Sequence, residues 1–257
     1  MSGASGAFLW GEDVSLHFGG VNALQSVAFQ VKQNDLHTII GPNGAGKTSL
    51  LNVITGVYRA DGGGVFLQDQ PLAGLPAHAI ARSGIVRTFQ NLELFSNMSA
   101  LENVMTGAHR LIRYGMRDWC FRTPRFRAEE AACREKAEAA LAFVGLSAAA
   151  AMLAGNLPFG SARLLEIARA LAAEPRVLLL DEPAAGLNIR ETVVLGDIIR
   201  RIVDRGITVM MVEHDMDLVM RVSDRVLVLS YGKVIAEGTP SEVQRNPDVI
   251  AAYLGEP

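Results

Sequence analysis

Residues 41–48 read Gly-Pro-Asn-Gly-Ala-Gly-Lys-Thr, and residues 177–183 read Val-Leu-Leu-Leu-Asp-Glu-Pro. The first string fits the pattern in which glycine-rich backbone N–H groups wrap a pyrophosphate, a lysine neutralises it and a hydroxyl reaches Mg²⁺. Gly41, Pro42, Asn43, Gly44, Ala45, Gly46, Lys47, Thr48 and the following Ser49 are therefore the phosphate-binding candidates. The second string is an apolar run that ends in two carboxylates. Asp181 suits the Mg²⁺ shell through water, because Mg²⁺ keeps several of its waters. Glu182 suits the base or water-positioning role for attack on a terminal phosphate. His214, in Val-Glu-His-Asp, follows the apolar run 208–212 and can hydrogen-bond that phosphate. Gln90, in Arg-Thr-Phe-Gln-Asn, both donates and accepts, so it can sense a metal-bound water and still swing away. Thr48, Gln90 and Asp181 are thus the metal-side candidates, and Lys47, Gln90, Glu182 and His214 the catalytic ones.

The elements that must carry these residues alternate as a mostly parallel sheet requires. Strands are predicted at 27–31, 36–40, 65–67, 177–180, 208–212, 226–230 and 233–236. Helices are predicted at 47–57, 193–204 and 218–222. Starting a helix at Lys47 aims its N-terminal dipole at the phosphates. Gly62, Gly63 and Gly64 read as a break. From about residue 97 the composition changes to Ala, Glu and Arg at helical spacing, with the clearest helix at 128–144. The aromatic, basic stretch 114–127 contains Pro124 and reads as a loop or broken helix. A further helix is predicted at 162–173, stopped by Pro175. The expectation is one α/β domain, residues 1–96 and 160–257, with a helical insertion at 97–159.

The 257 residues suffice for one core with an inserted subdomain. The formal charge of −3 makes no bulk electrostatic case for nucleic acid. No apolar run approaches the roughly 18 residues that cross a bilayer, and no secretory signal is visible at the start. Cys120 and Cys133 lack metal-ligand spacing and read as reduced thiols.

The order of the octet, Gln90, a helical insertion, a glycine-containing helix start at 157–163, the Asp181–Glu182 pair and His214 resembles the ATP-binding subunits of ABC transporters, over essentially the whole chain. Phe18-Gly-Gly, Arg87-Thr-Phe-Gln-Asn, Leu-Leu-Glu-Ile-Ala-Arg-Ala-Leu at 164–171, Pro-Ala-Ala-Gly-Leu-Asn at 183–188 and Ala-Ala-Tyr-Leu-Gly at 251–255 resemble the branched-chain amino acid importer subgroup. The resemblance implies a P-loop NTPase core with a mostly parallel sheet, an antiparallel β subdomain and an inserted helical subdomain. It implies ATP and Mg²⁺ as cofactors, Phe18 stacked on adenine, and an ATP-sandwich dimer with a second copy or a homologous subunit. In that dimer Gly160 and Ser161 face the partner's nucleotide. It also implies integral-membrane permease subunits docked beside residues 91–98, a periplasmic solute-binding protein as an indirect partner, and a peripheral place on the cytoplasmic face of the cell membrane.

One motif departs from the family. Leu-Ser-Gly-Gly-Gln becomes Leu157-Pro158-Phe159-Gly160-Ser161, which removes a hydroxyl and a backbone donor and implies weaker or slower closure. Asn188 stands where an aspartate is usual. Related readings of the same motifs are a lipopolysaccharide exporter's ATPase, a nucleic-acid-directed ATPase and a phosphotransferase. The last two call for a coiled coil or second ATPase domain, and for an acceptor pocket and lid, respectively.

Overall fold

A computed structural model of the protein describes residues 6–254. Gly255, which ends the C-terminal string, lies outside them. The chain divides into two compact units, Met1–Arg87 with Arg176–Pro257, and Thr88–Pro175.

The first unit holds two sheets. Strands β1 (Ala7–Phe18), β2 (Val21–Lys32), β4 (Gly62–Leu67) and β5 (Gln70–Pro71) form an antiparallel sheet in the order β2-β1-β4-β5. The other sheet contains β3 (Leu36–Ile40), β6 (Ile85–Arg87), β7 (Val177–Asp181), β8 (Thr208–Val212), β9 (Arg225–Ser230) and β10 (Lys233–Gly238). Its order is β10-β9-β3-β8-β7-β6, parallel except for β10. Every residue of β3, β7 and β8 is buried. That is why β7 and most of β8 read as apolar runs, whereas β3 buries His37 and Thr38 as well. Helices α1 (Lys47–Ile54), α2 (Ala77–Arg82), α7 (Ile189–Asp204), α8 (Met216–Val222), α9 (Pro240–Gln244) and α10 (Pro247–Leu254) complete the unit. Leu50, Leu51 and Ile54 of α1 share one apolar core with Ile39, Leu179 and Val212.

The second unit is helical: α3 (Ala100–Ala108), α4 (Met116–Cys120), α5 (Pro124–Phe143) and α6 (Phe159–Ala172). At Gly107 an added Cβ would sit 2.0 Å from the Arg169 carbonyl oxygen, so α3 and α6 pack backbone to backbone there. The mixed sheets and helices match the α/β class expected from the sequence.

Three local expectations are corrected. Pro124 does not break a helix; it occupies the first turn of α5, where its missing N–H costs nothing, and Thr123 caps the end. The three glycines at 62–64 are not a break but lie inside β4, where an added Cβ at Gly63 would be 2.2 Å from the Glu12 carbonyl oxygen on β1. The helix expected to start at Val193 begins at Ile189, because Asn188 caps it: Oδ1 accepts from the N–H groups of Arg190 and Glu191. No described helix is long and apolar enough to cross a membrane.

Candidate functional site

Three adjacent strands, β3, β8 and β7, run parallel, so their C-terminal ends form one edge. The glycine-rich loop leaves β3 there, Asp181 ends β7, and His214 follows β8. Ligands of open parallel sheets bind at this kind of edge.

The loop's shape depends on its glycines. Gly41, Gly44 and Gly46 all have positive φ. At Gly41 an added Cβ would lie 2.0 Å from the Leu229 carbonyl oxygen, so backbone packing as well as φ demands glycine. Lys47 begins α1 and is buried. Its Nζ donates to the carbonyl oxygens of Gly41 (2.6 Å) and Pro42 (3.0 Å). Burial pulls its pKa down, while Glu182 and Asp181 work in the opposite direction, which places both carboxylates within electrostatic reach of the ammonium. Thr48 is exposed at the same helix start. Burial pushes the Tyr253 phenol of α10 up, and the Gly41 backbone, 212 positions earlier in the chain, works against that shift, a proximity with no local signal in the sequence.

The two carboxylates have different surroundings. Asp181 is buried, and its Oδ2 pairs with Nη2 of Arg87 at 2.6 Å. Arg87 also donates from Nη1 to Oδ1 of Asn52 on α1, again at 2.6 Å. A guanidinium thus ties the end of β7 to the helix that follows the phosphate loop. Glu182 lies past the strand end with φ of 47°, its N–H bonded to the Val212 carbonyl oxygen. Its Oε2 is 3.9 Å from Nδ1 of the exposed His214. Glu182 thus follows Asp181 through a left-handed backbone position.

Sequence reasoning missed Glu213. Fully buried, it accepts hydrogen bonds from the N–H groups of Ala184 (2.7 Å), His214 (2.9 Å) and Asp215 (3.2 Å). It therefore joins the loop after Glu182 to the loop that carries His214. Burial raises its pKa although all three donors oppose the shift.

No described group of three or more His, Cys, Asp or Glu side chains converges as a metal cage. A hydroxyl from Thr48 and a carboxylate from Asp181, at the edge where the glycine-rich loop lies, are instead the kind of donors Mg²⁺ uses when phosphates complete its shell. Phe18, at the end of β1, keeps an exposed face and packs edge-on against Tyr58 at 5.1 Å.

Gln90, Gly160 and Ser161 belong to the helical unit. There Arg163 and Glu166, a buried pair 3.0 Å apart on α6, hold the backbone around Gln90. Arg163 donates to the carbonyl oxygens of Phe89 (3.2 Å) and Gln90 (3.0 Å), and Glu166 accepts the Phe89 N–H (3.2 Å). The Gln90 residue itself is exposed. Pro158 is the N-cap of α6, and its carbonyl accepts the Ala162 N–H at 2.9 Å. Its missing N–H breaks no helical bond. Arg163 and Glu166 lie in the 157–171 stretch that carries the family resemblance, but nothing local marks them as a clamp on a loop 73 or more residues earlier.

A model described as ABC transporter matches residues 24–185. A second, described as branched-chain amino acid ATP-binding cassette transporter, matches residues 233–257. The chain is 45% identical over 244 residues to the high-affinity branched-chain amino acid transport ATP-binding protein BraF of Pseudomonas aeruginosa, covering 95% of this chain and 96% of that one. It is 43% identical to the Escherichia coli protein of the same description, LivG, covering 94% and 95%. A solved nucleotide-free ATP-binding cassette from an ABC transporter superposes with a TM-score of 0.85 at 33% identity, over 97% of this chain and all of that one.

Proposed function

This chain belongs to the ABC transporter family, and from that premise we propose that it is the ATP-hydrolysing subunit of an importer for branched-chain amino acids or similar small solutes. The observation that carries the reading is the shared edge of β3, β8 and β7. A glycine-shaped loop and an inward lysine stand there beside two carboxylates in unlike environments and a histidine 3.9 Å from one of them.

In this reading Gly41 to Ser49 cradle the β- and γ-phosphates and Phe18 offers its face to adenine. Thr48 and Asp181 would hold Mg²⁺, with Gln90 as the third metal-side residue. When bound, the ion would supply positive charge to offset the negative charge that develops on the phosphate oxygens. Glu182 orients the attacking water and accepts its proton, while His214 donates to the γ-phosphate. Gly160 and Ser161, at the start of α6, present free N–H groups to the nucleotide of a second subunit. The dimer closes on ATP and opens after phosphate leaves, through the helical insertion at 97–159, and so drives permease subunits docked beside residues 91–98. A dimeric ABC transporter cassette of 25% identity (TM-score 0.74) supports the dimer. The names of the relatives support the solute class and the transport role; a peripheral place at the membrane and supply by a solute-binding protein belong to the same proposal.

The test is a pull-down from native membranes with the Glu182→Gln form and ATP. Recovery of two polytopic permeases and a second ATPase supports the assembly. Recovery of only soluble or DNA-associated partners overturns the transport reading and leaves the ATPase reading intact.

A further inference from the structure

The helical unit contains a segment that the nucleotide chemistry does not use. Residues 110–127 hold six arginines against one aspartate, a formal +5 in a chain whose total is −3. Within it, Met116, Trp119 and Phe121 are 75%, 57% and 80% exposed. Three large apolar side chains facing water within six residues is a marked departure from ordinary surface composition.

The segment is nevertheless built, not loose. Asp118 caps α4 through the Gly115 N–H (3.2 Å) and accepts from the Thr123 hydroxyl (2.9 Å). Glu129 of α5 accepts the N–H groups of Arg113 (2.7 Å) and Tyr114 (2.9 Å). The Tyr114 hydroxyl donates to Glu130 (2.7 Å), and its ring packs edge-on against Phe126 at 4.9 Å. Two of the arginines serve this frame: Arg110 donates to the Ala173 and Glu174 carbonyl oxygens, and Arg125 pairs with Glu129. The guanidiniums of Arg113, Arg117, Arg122 and Arg127 are on exposed residues and make no hydrogen bond or ion pair with another described residue. The fold thus spends its acids on the frame and leaves four cations and three apolar side chains outward.

The geometry points to a membrane-surface contact: α4 and its flanks seat on a bilayer rich in anionic lipid, with Trp119, Phe121 and Met116 in the headgroup layer and the free arginines against lipid phosphates. Charge complementarity favours this occupant over a protein groove. A surface of one sign needs no matched pattern of acids, and tryptophan and arginine both suit the interfacial zone. No nucleotide is required, so the inference fails or stands separately from the ATPase reading.

Co-sedimentation of the full chain with vesicles of phosphatidylcholine alone, or with about a third phosphatidylglycerol, tests it. The expected result is binding to the anionic vesicles only, weakening several-fold as salt rises from about 0.05 to 0.3 M. Vesicles should also shift the Trp119 emission to the blue in a Trp10→Phe background. Each neutralised arginine should weaken binding about five-fold, so the Arg113→Gln, Arg117→Gln, Arg122→Gln triple variant should lose roughly a hundred-fold. Trp119→Ala with Phe121→Ala should weaken it too, and both variants should keep the thermal melting and ATPase rate of the parent. Should the triple variant fold poorly, Arg117→Glu alone serves. Equal binding to neutral and anionic vesicles, or binding untouched by these substitutions, overturns the inference. So does loss of capture by the detergent-solubilised permease with no vesicle binding at all, which would assign the segment to a protein partner.

Discussion

His37 is the second residue of β3, the strand that leads into the glycine-rich loop, and is fully buried. Neither ring nitrogen has a hydrogen-bond partner among the described residues. Burial, with a smaller push from the Arg225 cation, lowers its pKa from 6.5 to about 4. A histidine depressed in this way is neutral in the folded protein while the unfolded chain takes up a proton below pH 6.5. Its penalty is therefore absent at neutral pH, grows as pH falls through 6.5 and is complete below about 4. Linkage sets the full penalty at about 3 kcal/mol, and at about 2 kcal/mol near pH 5. The perturbation is His37→Leu, which removes the titration and the two unpartnered nitrogens together. Urea unfolding at about pH 7.5 and pH 5 should show the parent losing about 2 kcal/mol more than the variant between those values. Carboxylates elsewhere titrate in both proteins and cancel in the difference. Equal losses in parent and variant, or a His37 ring that titrates near 6.5 by NMR, would refute the reasoning.

Glu182→Gln should lower ATP hydrolysis by about a hundred-fold or more while nucleotide binding measured by calorimetry is retained, since it removes a base and leaves the cradle. Gly41→Ala must displace the Leu229 carbonyl or the loop itself; ATP affinity should fall at least about ten-fold, and unchanged affinity would show that the loop relaxes freely. Arg163→Met leaves Glu166 as an unpaired buried charge and should cost about 3–5 kcal/mol in unfolding free energy, most of it recovered in the Arg163→Met, Glu166→Leu double variant. Glu213→Ala strands three N–H groups and should cost about 2–3 kcal/mol and slow hydrolysis, whereas Glu213→Gln keeps an acceptor and should recover part of both.

What could be read in advance follows the physics of each element. The limits of β3 and β8 were legible to the residue: β8 is apolar after Thr208, as a strand buried on both faces requires, and β3, although it carries His37 and Thr38, ends where the glycine-rich loop begins. β1 was not legible. Its twelve residues include Gly11, Glu12 and Asp13, the last at φ of 50°, and its register against β2 shifts four times, so no alternation survives. Proline misled at Pro124 because the same residue that stops one helix is well placed to start another. In the candidate site, short motifs pointed to the glycine-rich loop, the two acids and His214, whereas residues placed only by distant contacts gave no signal. Arg87 lay within a quoted motif, yet its bond to Asp181 spans 94 positions; Glu213 reaches Ala184 across 29. Pairings of that length leave no trace in local spacing.

The two adjacent acids show what the fold adds to a motif. As sequence, Asp181 and Glu182 are equivalent carboxylates one residue apart. In the structure Asp181 is 3% exposed, held at 2.6 Å by a guanidinium that is itself anchored to α1, so its position is tied to that of the phosphate loop. Glu182 is 22% exposed and faces a histidine that is 62% exposed. The turn that separates them has a cost, because a residue with a side chain at φ of 47° sits about 1–2 kcal/mol above its helical alternative. Glycine there would remove that strain, and with it the carboxylate. Seven other described non-glycine residues share that backbone region, but Glu182 is the one among them whose carboxylate lies 3.9 Å from His214 at the sheet edge, a pattern expected when geometry serves reaction and not stability. Opposed environments for neighbouring titratable groups are how one site divides labour. On the proposed reading, the buried acid holds the metal side and the strained one addresses the water.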